Sequence, residues 1–142
     1  MRDKHITLEN GIWYVGTNDR KKTIFENNWP LPYGVSYNSY LITDEKSALI
    51  DTIEYGSDNS YLCRIGALLE GKSLDYLVVN HMEPDHSSML QEVLRVYPNV
   101  KVVGNAQTFK MLKNYFNLPA ENFHEVKDGD GFELGERSLG FY

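Results

Sequence analysis

The sequence predicts a single α/β domain, and three observations lead there. Between residues 74 and 116, apolar strand-like runs alternate with segments of helical period, an order that builds parallel pairs through right-handed crossovers. The run LDYLVVN (74–80) is almost continuously apolar, the pattern of a strand covered on both faces. Short turns rather than linkers separate the segments, and 142 residues suffice for one sizeable core.

In chain order, HITLENGIWYVGTND reads as strands near 5–8 and 12–17 joined by the Asn10-Gly11 turn. KKTIFENNWPLPYGVS carries two prolines and little periodicity, so a loop is expected, with Trp29 and Tyr33 supplying apolar weight to close a core edge or, as the alternative, to cover a site. YNSYLITD (37–44) and KSALIDT (46–52) form a second hairpin about the turn at Asp44, Glu45 and Lys46. SDNSYLCRIGALLEGK changes to helical spacing, with Leu62, Ile65, Leu68 and Leu69 inward, an Asn or Ser cap and a stop at Gly71. After the buried strand, SSMLQEVLRVYP is a helix with Met89, Leu90, Val93, Leu94 and Tyr97 inward and Pro98 as its stop. NVKVVGN (99–105) is a strand, AQTFKMLKNYFN a helix, and NFHEVKDGDGFEL and RSLGFY return to short strands.

Composition narrows the function. A net charge of −6, with no basic run longer than RKK at 20–22, argues against nucleic acid, and that triplet is expected in a solvated loop. No apolar run is long enough to span a membrane and the N-terminus lacks the apolar core of a signal peptide, so a cytoplasmic protein is expected. The single cysteine, Cys63, excludes an internal disulfide framework and thiolate metal clusters, and its helical context predicts a buried residue.

Behind the buried strand stands VVNHMEPDHSS, with His81, Glu83, Asp85 and His86 inside six positions. The crevice beyond the carboxyl ends of parallel strands is where open α/β sheets bind ligands. In an extended or turning loop His81, Glu83 and Asp85 can face one side, with His86 reaching round from the next helix start. Imidazoles and carboxylates together suit iron, manganese or zinc. Two metals can be accommodated, one on His81 and Glu83, the other on Asp85 and His86. General acid–base chemistry by the carboxylates alone leaves the second histidine without a role.

HMEPDH resembles the H-x-E-x-D-H signature of flavodiiron proteins, and VGTNDRKKTIFENNWPLPYGVSYNSYLI and ALIDT resemble their N-terminal segment. The similarity runs from about residue 5 to the end. It implies a metallo-β-lactamase-like αββα sandwich, with residues 1–142 forming roughly its N-terminal half. It assigns His81 and Glu83 to a first iron and Asp85 and His86 to a second. It also implies reduction of O2 to water or NO to N2O at a diiron centre. Electrons come through FMN in a flavodoxin-like domain, from a donor such as rubredoxin or a flavin reductase. Three family ligands, a bridging carboxylate among them, find no match here, since His5 and His124 stand at other positions and are expected on the surface or in strands. These 142 residues alone are therefore expected to turn over little or not at all, and to self-associate through an uncovered sheet edge and face. Two other readings stay open. One is a metal-dependent hydrolase of the metallo-β-lactamase superfamily, against which Glu83 counts because the general signature has histidine there; the other is a non-enzymatic metal or gas-sensing module.

Overall fold

The computed structural model describes residues 6–116 and 118–142, so His5 lies outside the described residues. The opening hairpin pairs β1 (Ile6–Glu9) with β2 (Ile12–Tyr14), and Gly11 at φ 76° makes the turn. A Cβ on Gly11 would lie 2.6 Å from the Thr43 carbonyl oxygen, so the close approach as well as the positive φ demands glycine. The expected strand 12–17 is instead two: the chain leaves β2, and β3 (Thr17–Asp19) pairs with β6 (Val35–Tyr37) in a separate ribbon. The expected loop between them holds a small hairpin of β4 (Ile24–Phe25) and β5 (Trp29–Pro30). Trp29 and Tyr33 are 62% and 92% exposed, which corrects their expected place at a core edge.

The second hairpin is present but shorter than its apolar runs, as β7 (Tyr40–Ile42) and β8 (Ala48–Ile50). Helix α1 (Tyr61–Leu69) follows, then β9 (Tyr76–Val78), α2 (Pro84–Ser87), α3 (Leu90–Val96), β10 (Lys101–Gly104), α4 (Ala106–Phe116), a 3-10 turn at Ala120–Asn122 and β11 (Phe123–Glu125). The hairpin β12 (Gly131–Glu133) and β13 (Ser138–Gly140) ends the described chain. One seven-stranded sheet runs β1-β2-β7-β8-β9-β10-β11, antiparallel up to β8 and parallel from β8 to β11. The strand-helix alternation thus produced the parallel half, as expected.

The two faces of that sheet are covered differently. Leu41, Leu49, Leu77, Val79 and Val102 pack under Tyr61, Ile65 and Leu69 of α1, Leu90 and Val93 of α3 and Phe109 and Leu112 of α4. On the other face Val78, Val103 and Val126 meet Phe132, Leu139 and Phe141 around the terminal hairpin. Alternation along β9 explains why LDYLVVN is apolar throughout: Leu77 and Val79 serve one core, Val78 the other. Helices on one face and strands on the other match the metallo-β-lactamase-like fold.

Cys63 is helical but exposed, a correction to its expected burial. The inward stripe of α1 runs instead through Tyr61, Arg64, Ile65 and Leu69, because Arg64 is drawn in by Asp58 (3.1 Å) and by the Val15 carbonyl (2.8 Å). Lys22 also departs from the solvated loop expected for RKK: its Nζ lies 2.5 Å from Glu54 Oε1.

Candidate metal centre

Beyond β9 the Val79 N–H still donates to the Val103 carbonyl at 2.9 Å, and the chain then bends at Asn80 before Pro84 opens the single turn of α2. Proline at the first helical position needs no N–H donor there and has its φ already set. This turn corrects the expected arrangement: Asp85 and His86 sit within a helical turn, not before the next helix, and α3 starts separately at Leu90. The turn folds Asp85 back beside the preceding loop. One donor atom each from His81, Glu83 and Asp85 lies within 4.8 Å of the others. His86 stands outside that trio, its ring meeting the His81 ring edge-on with centroids 5.3 Å apart.

The four side chains divide into two pairs. His81 Nε2 is 3.3 Å from Glu83 Oε2, both side chains half-exposed. His86 Nε2 is 3.5 Å from Asp85 Oδ2, both largely covered, and at that distance no hydrogen bond holds them. Asp85 Oδ1 and His86 Nδ1 are buried with no hydrogen-bond partner among the described residues. Buried polar atoms are ordinarily paired, so neighbouring residues that each keep a free buried donor atom, one carboxylate and one imidazole, fit a divalent metal of the iron or zinc kind.

Residues that the sequence reading passed over hold this loop. Asp51, at φ 53° just past β8, accepts the N–H groups of Asn80 (2.8 Å) and His81 (3.2 Å) on Oδ1. Burial pushes the Asp51 carboxyl above the usual aspartate value, while those two N–H groups oppose the rise. Thr52 donates to the His86 carbonyl from both its N–H and its hydroxyl. Tyr37, fully buried, donates to Glu54 Oε2 at 2.5 Å, and burial followed by that bond raises its hydroxyl far above the ordinary tyrosine value. An aspartate and a threonine ending the strand beside β9 were the available signal for the first two. His124 is exposed on β11, as expected. A cavity of about 610 Å3 lies beside the loop, bounded by Asn80, Gly104, Asn105, Lys127 and Tyr142 at the carboxyl ends of the parallel strands.

Fold and loop together define a metallo-β-lactamase-like domain with an H-x-E-x-D-H motif at a strand end. The chain belongs to the ODP family beta lactamase group, whose family model matches residues 35–142. It is 35% identical to the flavo-diiron protein FprA2 of Clostridium acetobutylicum, over 92% of this chain and 32% of that protein. It is 33% identical to the anaerobic nitric oxide reductase flavorubredoxin of Pectobacterium atrosepticum, over 92% of this chain and 26% of that one. Rubredoxin oxygen:oxidoreductase from Desulfovibrio gigas superposes with a TM-score of 0.90 at 29% identity, over 98% of this chain and 35% of that one. The relatives are flavodiiron proteins, and the chain spans about a third or less of the length of these three.

Proposed function

We propose that these residues form the N-terminal part of a diiron domain in a flavodiiron oxidoreductase, which reduces O2 to water or NO to N2O. The observation that carries the reading is the pairing of donors, His81 with Glu83 and Asp85 with His86, the second pair holding two buried atoms without partners among the described residues. His81 and Glu83 are assigned to one iron, Asp85 and His86 to the other. Iron held by these residues would supply electron exchange with a diatomic substrate. The chain's own residues fix the donors: Asp51 holds the His81 backbone, and Thr52 holds that of His86. The mixed imidazole and carboxylate set keeps the site hard and anionic, which favours iron over copper(I).

The remaining donors and the FMN are assigned to parts of the working protein other than these 142 residues. A rubredoxin-type protein or a flavin reductase is the proposed electron donor, in the cytoplasm. No helix among the described residues is long and apolar enough to cross a membrane. Self-association of this chain is proposed through the edge strands of the seven-stranded sheet, β1 and β11.

The test is anaerobic reconstitution with ferrous iron followed by metal analysis. Wild type is expected to retain iron, His81→Ala and Asp85→Ala each to retain less, and His124→Ala to match wild type. Equal iron in all four would overturn the assignment.

A further inference from the structure

We propose that Ser39 and Tyr61 are positioning residues for the candidate metal centre, acting through the single peptide unit between Asp51 and Thr52. The inference rests on the metal-centre reading and extends it to two residues from other elements.

Asp51 holds a left-handed φ of 53°, a conformation that a non-glycine residue keeps only where its surroundings fix it. Its N–H donates to the Val78 carbonyl at 2.8 Å. Ser39 Oγ donates to its carbonyl oxygen at 3.0 Å and lies 2.8 Å from the Tyr61 hydroxyl, which is itself 3.5 Å from the same carbonyl. A serine hydroxyl has one proton. Given to Asp51, it leaves Ser39 to accept from Tyr61, so the chain of donation runs from Tyr61 to Ser39 to Asp51. Both Ser39 and Tyr61 are completely buried, so bulk solvent does not reach these bonds. Burial also keeps the Tyr61 phenol protonated and therefore a donor.

The consequence follows from peptide planarity. The Asp51 carbonyl and the Thr52 N–H belong to one rigid plane. Ser39 fixes the carbonyl end; the N–H end bonds the His86 carbonyl at 3.0 Å. Holding that plane therefore aims the Thr52 N–H at His86. The same plane holds the Asp51 Cα, the root of the side chain whose Oδ1 receives the N–H of His81 at 3.2 Å. One hydroxyl from the segment before β7, backed by one from α1, thus governs where a histidine of each donor pair begins.

The test compares wild type, Ser39→Ala, Tyr61→Phe and, as a core truncation away from the bracket, Val100→Ala. Amide hydrogen exchange at Asn80 and His81 is read on the full metal-free chain, and ferrous iron affinity by competition with a chromophoric chelator. Ser39→Ala and Tyr61→Phe are expected to raise exchange at these amides and weaken iron binding, each about five- to tenfold, the change that loss of one modest hydrogen bond produces. Val100→Ala is expected to leave both readouts at wild-type values. Unchanged exchange in Ser39→Ala and Tyr61→Phe, or an equal affinity loss in Val100→Ala, would overturn the proposal; faster exchange with unaltered affinity would overturn its link to the metal. If wild type takes up no iron, the metal-centre reading falls by itself, and the exchange measurement still decides whether the bracket positions His81.

Discussion

Thr52 holds the His86 carbonyl oxygen with two donors, its backbone N–H at 3.0 Å and its hydroxyl at 2.7 Å. The contact joins the end of β8 to the helical turn carrying Asp85 and His86. Thr52→Val keeps the shape and removes one donor, so a loss of about 1 kcal/mol is expected, read as a lower urea midpoint. Stability equal to wild type would show that the hydroxyl bond contributes nothing net.

Glu54 accepts from the buried Tyr37 hydroxyl on one oxygen and from Lys22 on the other, each at 2.5 Å. Glu54→Ala strands the phenol without its acceptor, which costs about 1–3 kcal/mol, whereas Tyr37→Phe removes the hydroxyl itself and costs less, about 1 kcal/mol. The double variant is expected to lose less than the sum of the two single losses, because the stranded group has gone. Additive losses in urea unfolding would contradict the coupling.

The sequence exposed what depends on local pattern. The parallel half of the sheet was legible because LDYLVVN and NVKVVGN flank a helix-period segment, and the donor cluster because four ligating residues crowd together at a strand end. The supports were hidden because they join distant positions: Asp51 meets His81 across 30 residues, and Tyr37 meets Glu54 across 17. Cys63 is exposed, against its helical pattern, because Arg64 is the residue buried beside it, satisfied by an aspartate and a backbone carbonyl that periodicity cannot reveal.

Arg64 and Asp58 form an ion pair at 3.1 Å with both side chains almost wholly covered. Burial alone would raise the Asp58 carboxyl, but the Ser60 hydroxyl and amide together with Arg64 outweigh it and hold the group at about 2. A depressed carboxylate stabilises the folded state above its unfolded value of 3.8 and loses that contribution as pH falls toward 2. The difference corresponds to about 2 kcal/mol at neutral pH. Wild-type stability is therefore expected to decline between about pH 4 and pH 2 more steeply than that of Asp58→Asn, which is the less stable protein at neutral pH. Parallel pH profiles would remove Asp58 from the acid transition.

At the alkaline end the controlling groups are phenols. Burial raises Tyr61 well above the ordinary value of 10.0, against the opposing effects of Ser39 and Arg64. Burial and then the bond to Glu54 raise Tyr37 likewise. The folded state thus keeps both neutral where the unfolded chain ionises near 10.0, so their contribution is complete below that pH and disappears as pH rises beyond it. The chain has 10 tyrosines. About one unit above the ordinary value, phenolate absorbance is expected to account for no more than about eight of them, the rest appearing together with loss of the helical signal. Tyr37→Phe reduces the hidden group by one, which separates Tyr37 from Tyr61. Ionisation of all ten while the far-ultraviolet spectrum remains native would show that neither phenol is shielded as the structure requires.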